Sequence, residues 1–166
     1  MASTRELLAE FKQEINHTRK ILERVPDGKN DWAPHEKSMK LGRLATHVAE
    51  IAGWASVTVT TDVLDFAGGD YKPYIHENNA DRLKFFEETA AKSAEILANI
   101  TDEDLEKPWT MRNGDVIYFT IPKKVALRTW VYSHLVHHRA QLGVYLRLLG
   151  VPVPGIYGPS ADESSM

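Results

Sequence analysis

Apolar residues recur at alternating three- and four-residue spacing in four separate stretches of this chain, which commits most of its length to amphipathic helices. The first stretch runs through Leu8, Phe11, Ile15, Thr18, Leu22 and Val25; Ser3 or Thr4 can cap it, and Pro26-Asp27-Gly28 ends it. The second carries Leu41, Leu44, Val48, Ile51 and Ala55 behind Ser38, the expected N-cap. It is expected to reach about Phe66, before the stop Gly68-Gly69-Asp70, although the β-branched run Val57-Thr58-Val59-Thr60-Thr61 weakens its later half. Asn78 or Asn79 caps the third, which places Leu83, Phe86, Ala90, Ala94, Leu97 and Ile100 on one face. The fourth opens at Pro122 and carries Leu127, Val131, Leu135, Leu142, Tyr145, Leu146 and Leu149. It closes at Gly150, because Pro152 and Pro154 forbid continuation.

Between the third and fourth stretches, Thr101-Asp102-Glu103-Asp104 predicts a turn or a short helical cap. Trp109-Thr110-Met111-Arg112 and Val116-Ile117-Tyr118-Phe119 then flank Asn113-Gly114-Asp115, and Asn-Gly between β-formers is a strong hairpin signal. The expectation is a small hairpin appendage and not a sheet. Together these elements predict an all-α fold, a four-helix bundle with a small β-hairpin before the last helix. A length of 166 residues suits one domain spanning 1–166.

Twenty basic and twenty-three acidic residues leave a net charge of −3, with the charges scattered along the chain. No basic block marks a nucleic-acid or membrane surface, so the expected partner is a small molecule or another protein. The absence of cysteine excludes disulfides, thiolate ligands and a cysteine nucleophile. No segment approaches the ~20 apolar residues of a spanning helix, and Met1-Ala2-Ser3-Thr4-Arg5-Glu6 leads straight into an amphipathic pattern. A cytoplasmic protein is expected. Trp54, Trp130 and Leu148 fall beside or outside the inner stripes, an apolar surplus that predicts a symmetric homodimer.

Chemistry concentrates in the segment from Trp130 to Gln141, which holds three of the seven histidines. His134 and His138 are four residues apart, so on a helix their rings project from one face and can converge on a single point. A third donor has to come from elsewhere. His47, between Leu44 and Ile51 on the buried face of the second helix, is the natural candidate. Inward imidazoles left without partners lose on the order of 1–3 kcal/mol each, and one cation satisfies all three. Three imidazoles with open positions describe a catalytic rather than a structural metal site, and Zn(II), Ni(II) and Fe(II) all accept such ligands. A ferritin-type dinuclear site needs Glu-x-x-His, whereas here the order is reversed in His47-Val48-Ala49-Glu50. Glu50 is a candidate to accept from His47 or to carry a proton, with a solvated helix glutamate as the plainer alternative. His17, His35, His76 and His137 are expected in ordinary surface or loop roles, His137 because it points about 60° to the other side of His134.

Over essentially its whole length the chain resembles the DinB/YfiT-like superfamily, a group of candidate metalloenzymes. The carriers are Trp32-Ala33-Pro34-His35-Glu36-Lys37-Ser38 leading to Leu44-Ala45-Thr46-His47, then His134-Leu135-Val136-His137-His138-Arg139-Ala140-Gln141, and the tail from Pro154 to Glu163. The resemblance implies a four-helix bundle with one divalent metal (Zn, Ni or Fe) on His47, His134 and His138, and a homodimer. It also implies metal-dependent chemistry on a small-molecule substrate, with thiol-dependent S-transfer from a low-molecular-weight thiol as one form. A metal-dependent hydrolase and a non-catalytic metal- or ligand-binding dimeric bundle are the alternatives. Arg139 and Gln141 match the motif, either to anchor an acidic substrate or, as favoured, to support helix packing. Substrate specificity is expected in the loops around Trp32 and Tyr71–His76 and in the hairpin.

Overall fold

The computed structural model describes residues 3–69 and 73–164. Helix α1 spans Thr4–Leu22, and of its two candidate caps it uses Ser3, whose hydroxyl accepts from the Glu6 N–H while the Glu6 carboxylate accepts from the Ser3 N–H. Leu7, rather than the expected Leu8, takes the fully buried first position ahead of Phe11, Ile15 and Thr18. Helix α3, Asn79–Asn99, is capped by Asn78 and buries Phe86, Ala90 and Leu97 as its stripe requires. A short α4, Asp102–Glu106, carries its own capping box between Thr101 and Asp104.

Helix α2, Leu41–Thr60, departs from expectation at both ends. Its N-cap is Lys40, which makes no side-chain cap bond; the carbonyls of Trp32 and Asn30 accept from the Leu41 and Gly42 N–H groups at 2.7 and 3.0 Å instead. Loop carbonyls thus replace the expected Ser38 hydroxyl. The loop lies so close that a Cβ on Gly42 would fall 2.7 Å from the Asn30 Oδ1. At the far end the helix stops at Thr60 and not near Phe66. There the hydroxyls of Thr58, Thr60 and Thr61 bond to the carbonyls of Trp54, Ser56 and Val57. Such back-bonding weakens helix propagation in a β-branched run, and Thr61 turns extended.

The chain beyond it becomes β1, Val63–Asp65, and a 3₁₀ turn, Phe66–Gly68. Strand β1 pairs in parallel with β2, Pro108–Asn113, which pairs antiparallel with β3, Val116–Pro122, in the order β1-β2-β3. The hairpin forms as expected, with Gly114 at φ 58 in its turn. It is no appendage. The sheet has three strands, and Trp109 and Met111 pack on Ala126 as a second apolar cluster.

The fourth helical stretch is continuous over residues 123–148: α5 (Lys123–Ala126), π-helical turns (Leu127–Tyr132) and α6 (Ser133–Leu148). Its apolar residues Leu127, Val131 and Leu135 are each four apart, and every such step overshoots an α-helical face by about 40°. The wider π winding absorbs that drift, so all three stay buried. The main core lies among α1, α2, α3 and α6, the four-helix bundle read from the sequence. Among the described residues, no helix is long and apolar enough to cross a membrane. Trp54 and Trp130 are not surplus surface: they stack at 5.0 Å with 11° between planes and pack on the core. Leu148 does remain 61% exposed, with Val144 on the same helix at 58%.

Candidate metal centre

One helix, α2, delivers His47, and α6 delivers His134 and His138 from successive turns of one face. The structure brings these three rings together. Their centroids lie 4.6 Å apart for His47 and His138, 4.6 Å for His134 and His138, and 5.3 Å for His47 and His134. One ring nitrogen from each lies within 4.8 Å of the other two. Nitrogens bound at 2.0–2.1 Å to one tetrahedral ion stand about 3.3 Å apart, so small side-chain rotations suffice.

Two of the rings are also held from behind. The Glu50 Oε2 lies 3.3 Å from His47 Nδ1 and accepts from both terminal nitrogens of Arg43, at 3.0 and 3.1 Å. Arg43 itself approaches His47 Nδ1 at 3.3 Å. The Gln141 Oε1 lies 2.8 Å from His138 Nδ1. An acceptor on the outer nitrogen fixes the tautomer in which the inner nitrogen carries a lone pair, as a metal ligand must.

The electrostatics favour neutral rings at His134 and His138. Burial, reinforced by the neighbouring His138, His47 and His137, lowers the His134 pKa to about 4. Burial likewise lowers that of His138, against the opposing bond to Gln141. Burial alone would raise the Glu50 carboxyl, yet the bonds from His47 and Arg43 outweigh it and hold the pKa below its ordinary value. The result is an anion behind three converging imidazoles, two of them held neutral by burial, a set that suits a divalent cation.

The other sequence candidates sort by position. His137 is exposed and stands outside the three-histidine group, although its ring is 4.8 Å from that of His138. His35 accepts from the Lys37 N–H in an exposed loop, and His76 packs between Tyr74 and Phe85. His17 meets Tyr157 edge-on on α1. Arg139 faces away from the site. It bonds to the Glu14 carbonyl, the Thr18 hydroxyl and the Tyr157 hydroxyl, and pairs with the Glu14 carboxylate at 2.7 Å. That is the packing role, joining α1, α6 and the C-terminal tail. Gln141 instead supports the site through His138. Glu50 is 13% exposed, not a solvated helix residue. Arg43 is the residue that sequence reasoning missed, and its signal was its spacing: one turn before His47, two before Glu50.

The same fold recurs in known proteins. The chain is 26% identical over 161 residues to the protein YrdA of Bacillus subtilis (strain 168), covering 94% of this chain and 89% of the relative. A DinB-like protein of Bacillus cereus ATCC 10987 superposes with a TM-score of 0.74 at 22% identity, over 93% of this chain and 98% of that one. YfiT of Bacillus subtilis, described as a probable metal-dependent hydrolase with an unusual four-helix bundle topology, does so at 0.63 and 15% identity, over 89% and 87% of the two chains. Identities this low establish a shared fold. The sequence profile of the DinB family matches residues 1–165, and with that match over nearly every residue the chain belongs to the DinB family.

Proposed function

We propose that the protein is a metal-dependent hydrolase in which His47, His134 and His138 hold one divalent ion. The observation that carries this reading is the donor set: three converging imidazoles from two helices, two of them braced from behind by Glu50 and Gln141. Among the described residues the group contains no fourth histidine or carboxylate, so positions stay open for water and substrate. When bound, such an ion lowers the pKa of a coordinated water toward neutrality and polarises a substrate carbonyl or phosphoryl oxygen. The residues of the chain supply the rest. Glu50 accepts from His47 and is in turn clamped by Arg43, which makes it a positioning residue rather than a free base. Gln141 does the same for His138. YfiT, described as a probable metal-dependent hydrolase, supports the choice of reaction class through its shared fold.

Elemental analysis of natively expressed protein tests the site. About one equivalent of a divalent metal is expected, lost in His47→Ala, His134→Ala and His138→Ala and retained in His137→Ala. Equal loss in His137→Ala would overturn the assignment. Transfer of a low-molecular-weight thiol, implied by the sequence resemblance, is separated from hydrolysis by cobalt substitution. A sulfur-to-metal charge-transfer band on adding a small thiol would favour transfer; its absence across a series of thiols leaves hydrolysis.

A further inference from the structure

A cavity of about 670 Å³ opens beside His47 and His134. It is within the range of about 300–1,000 Å³ typical of small-molecule sites. Its walls come from three stretches of the sequence: Trp54 and Val57 of α2 with Leu64 and Phe66 just beyond it, Trp109 of β2, and Trp130 of the π-helical turns. Trp32 and Tyr74, from the loops expected to set specificity, are not among them; Trp32 packs edge-on against Tyr145 and Tyr74 against His76. Tyr71 and Lys72 lie outside the described residues.

The charged side chains of the wall and the Thr58 hydroxyl are already engaged within the protein. Arg43 donates to Glu50. Asp65 accepts from Arg112 and from the N–H groups of Ala67 and Gly114. Thr58 donates to the Trp54 carbonyl, and the Trp109 indole donates to Thr61. What the wall offers a ligand is apolar surface. The stacked Trp54–Trp130 pair abuts the metal centre directly, with His134 edge-on at 5.2 Å from Trp54 and 5.1 Å from Trp130. Phe66 and Val57 are 42% and 39% exposed, leaving apolar surface in water next to this cavity that a ligand can cover.

We propose that this cavity binds a flat apolar group of the substrate, an aryl or fused-ring moiety, whose attached polar group reaches the three histidines. This rests on the metal-centre reading above. Recognition is then divided: the centre takes the one reactive polar group, and selectivity comes from burial and ring contacts along the tryptophan wall. A polar or highly charged substrate of the same length finds the charged side chains of the wall already paired and is disfavoured by desolvation.

Hydroxamates test this, because their chelating head is constant while the body varies. On metal-loaded protein, 2-naphthohydroxamate should bind at least about thirtyfold more tightly than acetohydroxamate, from the apolar area it buries. Phe66→Ala, at a largely exposed position, should narrow that ratio several-fold. Equal affinities for the two probes would overturn the cavity proposal and leave the metal centre standing. A second arm needs no metal: 2-naphthamide, which lacks the chelating head, is titrated into metal-stripped, nitrogen-15-labelled protein while the four tryptophan indole resonances are followed. Shifts at Trp54 and Trp130 support the cavity even if no metal binds. No shift at millimolar probe overturns it.

Discussion

Removing Glu50 separates a braced metal centre from three histidines that merely lie close together. A single oxygen, Oε2, serves both His47 Nδ1 at 3.3 Å and the two terminal nitrogens of Arg43 at 3.0 and 3.1 Å. Its side chain is 13% exposed and that of Arg43 19%, so water replaces these bonds poorly. Glu50→Ala deletes the acceptor that fixes the His47 tautomer and leaves Arg43 without that carboxylate. Loss of such a supporting partner lowers metal affinity by about 10- to 100-fold, equivalent to about 1.4–2.8 kcal/mol. Alanine belongs near the upper end because nothing replaces the acceptor. Glu50→Gln keeps an amide oxygen in place but loses the charge, and belongs near tenfold. The order wild type, Gln, Ala is therefore the signature of positioning. Competition with a chromophoric chelator measures the affinities, and denaturant unfolding of the metal-free variants shows what part of the change is lost stability. A folded Glu50→Ala variant with wild-type metal affinity would refute the reasoning, and so would glutamine behaving as badly as alanine.

The remaining predictions concern acid stability, the bracing of α1 and assembly. In metal-stripped protein, His134 has a folded pKa of about 4 against an ordinary value of 6.5, so the folded state resists a proton that the unfolded chain accepts. Its stabilising contribution is complete above about pH 6.5 and is lost as pH falls toward 4, amounting to at most about 3 kcal/mol; denaturant midpoints across that window should flatten in His134→Asn. Glu14→Ala strands the Arg139 guanidinium, which is 3% exposed, and should cost about 3 kcal/mol of stability with metal content unchanged; a loss under 1 kcal/mol would deny the pair its role. A symmetric homodimer remains our expectation for assembly, now resting on exposed Val144 and Leu148. Light scattering should give about twice the 18.7 kDa chain mass, and a monomer at micromolar concentration would remove the claim.

The bundle and its three histidines were legible because both depend on local periodicity: 3.6 residues per turn places Leu44, His47 and Ile51 on one inward face, and His134 with His138 on another. Where the reading failed, the deciding partner was distant in sequence. Ser38 is a sound local N-cap, but the carbonyls of Asn30 and Trp32, supplied by a folded loop, took its place. Residues 61–66 looked like a weak end of α2 because nothing nearby shows that Val63–Asp65 pairs with strand residues 110–112. That non-local pairing turns a hairpin into a sheet, and the sheet brings Trp109 against Trp130, on the wall of the cavity that Trp54 also lines. The three histidines lie on two helices whose patterns announce them, whereas the cavity beside them is assembled from three stretches of sequence brought together by tertiary pairing. A point mutation at Leu64 or Trp109 is therefore expected to change which molecules reach the centre more than whether it holds a metal. The reverse holds for His47, Glu50 and His138, which one helix or the other positions without help from the sheet.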